Sequence, residues 1–198
     1  MWSEQGKIKG TLNTYKFFDP QSSDSYLDEL LSQPSSLANQ SVGEVLRDRM
    51  IEVMIEPGRA LADQCGITTA KVAYTKKSST GESLIGLEMN RADLAFLEHE
   101  VFIDPILVTC DENTSNRPSS AYVLGNLCLE GDLIFIRKIN FIAIPQSGDL
   151  LVFANTAGYY SDFSAHSAIR QPKATKVAIS KQDNSLLWSL DDLYNPAL

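Results

Sequence analysis

Residues 66–89 read GITTAKVAYTKKSSTGESLIGLEM, and the fold turns on this stretch. Residues 68–75 are rich in β-branched side chains with apolar and polar positions alternating, and residues 84–89 are apolar. Between them Lys77, Ser78, Ser79, Thr80 and Gly81 have the composition of a hairpin turn, so the stretch reads as two strands with a short connection. The pattern recurs further on. Strands are expected at residues 105–109, 121–124, 133–137, 149–154 and 174–179, with 111–120 as a polar loop around Pro118. Short strands at this density imply a β-sandwich or barrel over residues 66–198.

Towards the N-terminus the period changes. Tyr26, Leu27, Leu30 and Leu31 fall at helical spacing within residues 24–33, behind Ser22 or Ser23 as N-cap, and Pro34 stops the helix. A second helix is expected over 42–48, where Ser41 and Glu44 are spaced as a capping box. Ile51, Val53 and Ile55 alternate with Glu52 and Met54 as a short strand, which Pro57 ends. Residues 59–64 read as one or two helical turns stopped by Gly66. Two helices and a strand do not close a core alone. Residues 1–65 are therefore expected to be an incomplete C-terminal part of an α/β barrel, an architecture that takes about 250 residues by itself. The chain reads as mixed α/β followed by all-β, and as the tail of something longer.

Composition narrows the function classes. The 198 residues amount to between one and two domains of about 150 each. Hydrophobic residues make up 43%, enough for a core and too many for a mostly disordered chain. The net charge of −8 repels phosphate backbones, so no nucleic-acid partner is expected. The apolar runs 133–136 and 141–144 are too short to cross a bilayer, and residues 1–7 lack the apolar core of a secretion signal. Cys65, Cys110 and Cys128 are an odd number without CxxC spacing, which points to reduced thiols in the cytoplasm. With only His99 and His166, a multi-histidine metal centre is excluded and no metal is expected.

Three short motifs can carry chemistry. In Glu56-Pro57-Gly58-Arg59 a strand ends in a carboxylate, a proline opens the next helix, and an arginine sits in its first turn. Helix N-terminal N–H groups with a guanidinium suit a phosphate, though alone the tetrapeptide reads more readily as a tight turn with a surface salt bridge. Cys128 lies in Gly125-Asn126-Leu127-Cys128-Leu129-Glu130-Gly131-Asp132. A thiol that stays protonated can deliver a proton to a carbanion, and a nearby carboxylate such as Glu130 favours that state; a buried structural cysteine is the commoner fate. Asn155-Thr156-Ala157-Gly158-Tyr159-Tyr160 follows an apolar strand, and such a small-residue turn can aim a phenol at a phosphate or simply pack a tyrosine.

Taken in order, with Cys128-x-x-Gly131-Asp132 and Ser147-Gly148-Asp149-Leu150-Leu151, these motifs resemble the C-terminal portion of the group III pyridoxal-phosphate decarboxylases. That family includes the diaminopimelate, ornithine and arginine decarboxylases, built on an alanine-racemase-like barrel plus a β domain. The likeness runs from about residue 42 to 172. It implies that Glu56 pairs with the protonated pyridine nitrogen of pyridoxal 5'-phosphate, keeping the ring an electron sink. It implies that the Gly58 backbone, Arg59 and Tyr159 hold the phosphate, and that Cys128 reprotonates the α-carbon after CO₂ leaves. In the family this cysteine serves the partner subunit's site, so a homodimer or a complementing barrel-bearing chain is implied, with an amino acid as substrate.

The departures matter as much. The family's Schiff-base lysine, ring-stacking histidine and glycine-rich phosphate loop lie upstream of Glu-Pro-Gly-Arg, and residues 1–55 hold no counterpart; Lys7, Lys9 and Lys16 sit in no matching motif. Activity from this chain alone is not expected, and the alternative is a non-catalytic decarboxylase-like protein that binds or regulates a partner enzyme. The residue after the cysteine, acidic in the diaminopimelate and ornithine enzymes, is Leu129, with Glu130 one place on. After Met89-Asn90 the distal-end arginine and tyrosine give way to a stretch running from Leu94 through Phe96 to His99, which points to a bulkier, less charged amino acid. His99 and His166 read as exposed or core-satisfied histidines.

Overall fold

A computed structural model of the chain describes residues 23–37, 39–94, 103–110, 117–158 and 174–191, with the Ser23 and Arg59 side chains outside that set. The 66–89 stretch forms the expected hairpin. β1 (Ile67–Lys77) runs antiparallel to β2 (Ser83–Leu87), and Gly81 at φ +86° turns the chain between them. A register shift between Val72 and Tyr74 marks a bulge in β1. β3 (Ile106–Val108), β4 (Ser119–Leu124), β5 (Ile139–Phe141) and β6 (Leu150–Ala154) complete a six-stranded sheet of order β3-β6-β1-β2-β4-β5. β2 and β4 are parallel, and the other pairs are antiparallel. β7 (Val177–Gln182) and β8 (Ser185–Leu190) make a separate hairpin.

The core lies against the large sheet. Ala70, Val72, Ile85, Leu87, Ala121, Val123, Ile139, Phe141, Leu151 and Phe153 come from the strands, and Met89, Leu94, Ile134 and Phe135 from the segments between them. Phe135 stacks on Phe153 with ring centroids 6.0 Å apart. Residues 133–137 are not a strand. Leu133 makes a lone bridge to Leu124, and the successive side chains Ile134 and Phe135 are both buried. A strand turns successive side chains to opposite faces, so a run that sends two neighbours inward plugs the core instead. The edge strand β5 forms just after it, and β8 forms where no strand is expected from the sequence.

Helices are few. α1 (Ser23–Ser32) and α2 (Val42–Asp48) match their expected positions, and α2 carries the capping box, Glu44 N–H donating to Ser41 Oγ at 3.2 Å and Ser41 N–H to Glu44 Oε2 at 2.8 Å. α3 (Arg59–Ala62) is one turn. Residues 51–55 form no strand, and Ile51, Val53, Met54 and Ile55 are exposed. A strand exists only by pairing, and no described segment pairs with this one. No helix among the described residues is long and apolar enough to cross a membrane.

Candidate functional site at one end of the sheet

Strand direction decides where the motifs go. Ile67, the first residue of β1, pairs with Ala154, the last of β6, and Val72 pairs with Leu87, the last of β2. β4 runs parallel to β2 and ends beside it, with Leu124 opposite Gly86. The chain entering β1 and the chains leaving β2, β4 and β6 therefore share one end of the sheet. These segments carry, in turn, the Glu56–Arg59 corner, the turn after Met89, the Cys128 loop and the turn that leads to Tyr159.

The first and last of these are packed together. Asn155, held at φ +55°, accepts the Gln64 N–H on Oδ1 at 2.8 Å and donates through Nδ2 to Asp63 Oδ1 at 2.7 Å. Thr156 is buried, donates its N–H to the Gly66 carbonyl at 3.0 Å, and exchanges a hydrogen bond with the Thr68 hydroxyl at 2.7 Å. Gly158, at φ +73°, lies so close to α3 that a Cβ there would stand 3.3 Å from Ala62 Cβ. The turn thus packs on the C-terminal end of α3, the one-turn helix that begins at the corner. Gly58 is the N-cap of that turn of helix and makes no side-chain cap bond, while Glu56 is exposed in the irregular segment before it. Tyr159, His99 and His166 lie outside the described residues.

Cys128 sits on the loop between β4 and the 133–137 segment, and it is exposed rather than a buried structural cysteine. The loop is organised by Asp132, whose side chain is buried. One carboxylate oxygen accepts the Arg91 N–H at 2.8 Å, and the other accepts the Leu127 N–H at 2.7 Å. The Gly125 N–H reaches the Asp132 carbonyl at 2.8 Å, the Asp132 N–H reaches the Leu129 carbonyl at 3.0 Å, and the Asn126 N–H reaches the Met89 carbonyl at 2.9 Å. Arg91 Nη1 adds a bond to the Gly131 carbonyl at 3.1 Å. Only glycine fits at 125, because a Cβ there would fall inside the Asp132 carboxylate.

The Ser147-Gly148-Asp149 motif works the same way. Asp149 is buried, with one oxygen on the Cys110 N–H at 2.9 Å and the other on the Gln146 N–H at 2.8 Å. Asn155, Asp132 and Asp149 thus hold turns in place, a role that motif spelling does not assign them. The available signal was residue type: Asn tolerates a left-handed backbone and bonds nearby main chain, and a buried carboxylate needs N–H donors.

No family model matches the chain. An uncharacterized protein, y4yA, of Sinorhizobium fredii is 33% identical over 177 residues, which are 88% of this chain and 38% of that protein. A diaminopimelate decarboxylase of Vibrio cholerae is 26% identical over 178 residues, 85% of this chain and 41% of the enzyme. Among solved structures, diaminopimelate decarboxylase from Helicobacter pylori complexed with L-lysine superposes with a TM-score of 0.58 at 17% identity, covering 74% of this chain and 34% of that one. The chain therefore spans well under half the length of the relatives it matches. Sequence and fold together make it a homologue of the diaminopimelate decarboxylases over that part of their length, with the decarboxylase fold there.

Proposed function

We propose that these residues are the C-terminal, β-domain portion of a pyridoxal-phosphate-dependent amino-acid decarboxylase of the cytoplasm, completed by the last part of an α/β barrel. The carrying observation is that the Glu56–Arg59 corner, the turn after Met89, the Cys128 loop and the turn that leads to Tyr159 all leave the sheet in one direction, with α3 packed on the last of these. A phosphate at the corner is supported by two glycines: Gly58 opens α3 without a Cβ, and Gly158 places none against Ala62. Bound pyridoxal phosphate supplies a ring that takes up the electron pair left on the α-carbon when CO₂ departs. Glu56 holds a proton on the ring nitrogen. The Gly58 N–H, the Arg59 guanidinium and the Tyr159 phenol bind the phosphate, and Cys128 delivers a proton from Sγ to the α-carbon of a partner subunit's substrate. The lysine that carries the cofactor comes from outside residues 1–55, in a homodimer or with a complementing barrel-bearing chain. Leu129 in place of an acid, with the stretch after Met89-Asn90, favours a bulkier, less charged amino acid as substrate.

Cofactor titration and turnover test this on the assembled enzyme. Arg59→Ala is expected to weaken pyridoxal phosphate binding about tenfold or more, the scale of a lost charge-assisted hydrogen bond. Cys128→Ala is expected to cut turnover about 10²-fold while cofactor affinity holds, as for loss of a general acid. Unchanged affinity in the first or unchanged turnover in the second removes that assignment. A non-catalytic, partner-binding protein is the second reading, favoured by the exposed apolar side chains of residues 50–55. It predicts inhibition or stabilisation of an active decarboxylase by this chain and no turnover from the assembly.

A further inference from the structure

The two residues that flank Cys128 are both held by Asp132, Leu127 through the carboxylate and Leu129 through the Asp132 N–H. The same carboxylate reaches across to the Arg91 N–H, in the 3₁₀ turn Arg91–Asp93 that Asn90 caps. We propose that Asp132 is a positioning residue that fastens the turn after Met89 to the Cys128 loop and so fixes where the thiol is presented. The importance of that thiol rests on the decarboxylase reading; the clamp does not. A carboxylate suits the task because each of its oxygens can accept a main-chain N–H. An amide of the same shape has one acceptor and turns its NH₂ group towards the second donor, which leaves a buried N–H without a partner. The turn follows the Met89-Asn90 pair after which the family's substrate-end residues are expected, so the clamp ties the substrate-end segment to the proton donor.

Asp149 is the built-in control, since it grips the Cys110 and Gln146 N–H groups with the same two-oxygen geometry at another loop. In Asp132→Asn, amide exchange at Arg91 and Leu127 is expected to speed up together by about tenfold, and alkylation of Cys128 by about threefold, with Cys110 unchanged. Asp149→Asn is expected to affect Cys110 and spare Cys128. Equal changes at both thiols mean global loosening and overturn the proposal, as does unaltered exchange at Leu127. A second variant guards against misfolding. Arg91 is the first residue of its turn, where proline is well tolerated, and Asn90 before it is already extended at φ −120° and ψ 168°. Arg91→Pro therefore deletes the N–H that Asp132 holds, and it is expected to mobilise Cys128 more than Arg91→Ala does; equal effects overturn the clamp. In the assembled enzyme Asp132→Asn should lower turnover about tenfold with KM unchanged. Freed Cys128 with normal turnover leaves the clamp standing and sinks the decarboxylase role of the thiol.

Discussion

At the scale of single residues, polar side chains that bond the main chain of nearby loops decide the geometry of the candidate site. Asp132 and Asp149 each take two main-chain N–H groups, and Asn155 joins its turn to Asp63 and Gln64, just after α3, through both ends of its amide. Each lies within one of the quoted motifs without being the residue expected to do chemistry. Gly125 belongs to the same set, because the Asp132 carboxylate occupies the space a side chain would need. Gly125→Ala is therefore expected to cost about 1–3 kcal/mol, as forced repacking of a full site does, and urea unfolding would measure it. A loss below the error of that measurement would mean that the loop relaxes freely.

At the scale of elements, capping and pairing separate the segments that form from those that do not. α2 is short, and its capping box supplies partners for N–H groups that the first turn leaves open. The Ser41 backbone N–H, then the Ser41 hydroxyl, holds the Glu44 carboxyl below its ordinary value. A carboxylate depressed in the folded state adds stability above its unfolded pKa, and that stability is lost as the pH falls through the folded value. Amide shifts of residues 42–48 are thus expected to report fraying of α2 on acidification below the usual carboxylate range. In Glu44→Gln, which keeps an acceptor but cannot titrate, that pH response should vanish. Residues 51–55 show the opposite case: alternation is present in the sequence, but without a neighbour to pair with it yields no strand.

At the scale of the molecule, one core supports the sheet from which the Glu56–Arg59, Cys128 and Asn155 segments emerge in one direction. Phe153 lies in β6, just before the Asn155 turn, and stacks on Phe135 from the segment between β4 and β5. Truncating it removes a buried ring at the centre of the core. Phe153→Ala is expected to destabilise the fold by about 3–5 kcal/mol, read from chemical denaturation, and to loosen the Asn155 turn with it. The hairpin β7–β8 takes no part in this sheet, and Ile179, Leu186 and Trp188 on it are exposed.

Local chemistry in the sequence was enough for the β1–β2 hairpin, the helices α1 and α2 with the Ser41 cap, and the order of the decarboxylase-like motifs. Those features depend on alternation, turn composition and capping between neighbours in the chain, which a sequence displays directly. It did not disclose that 133–137 plugs the core, or that Asp132 holds the residues on either side of Cys128. These depend on which way β2, β4 and β6 run past β1 and on partners far away in sequence, and only the folded chain brings such donors and acceptors within hydrogen-bond reach.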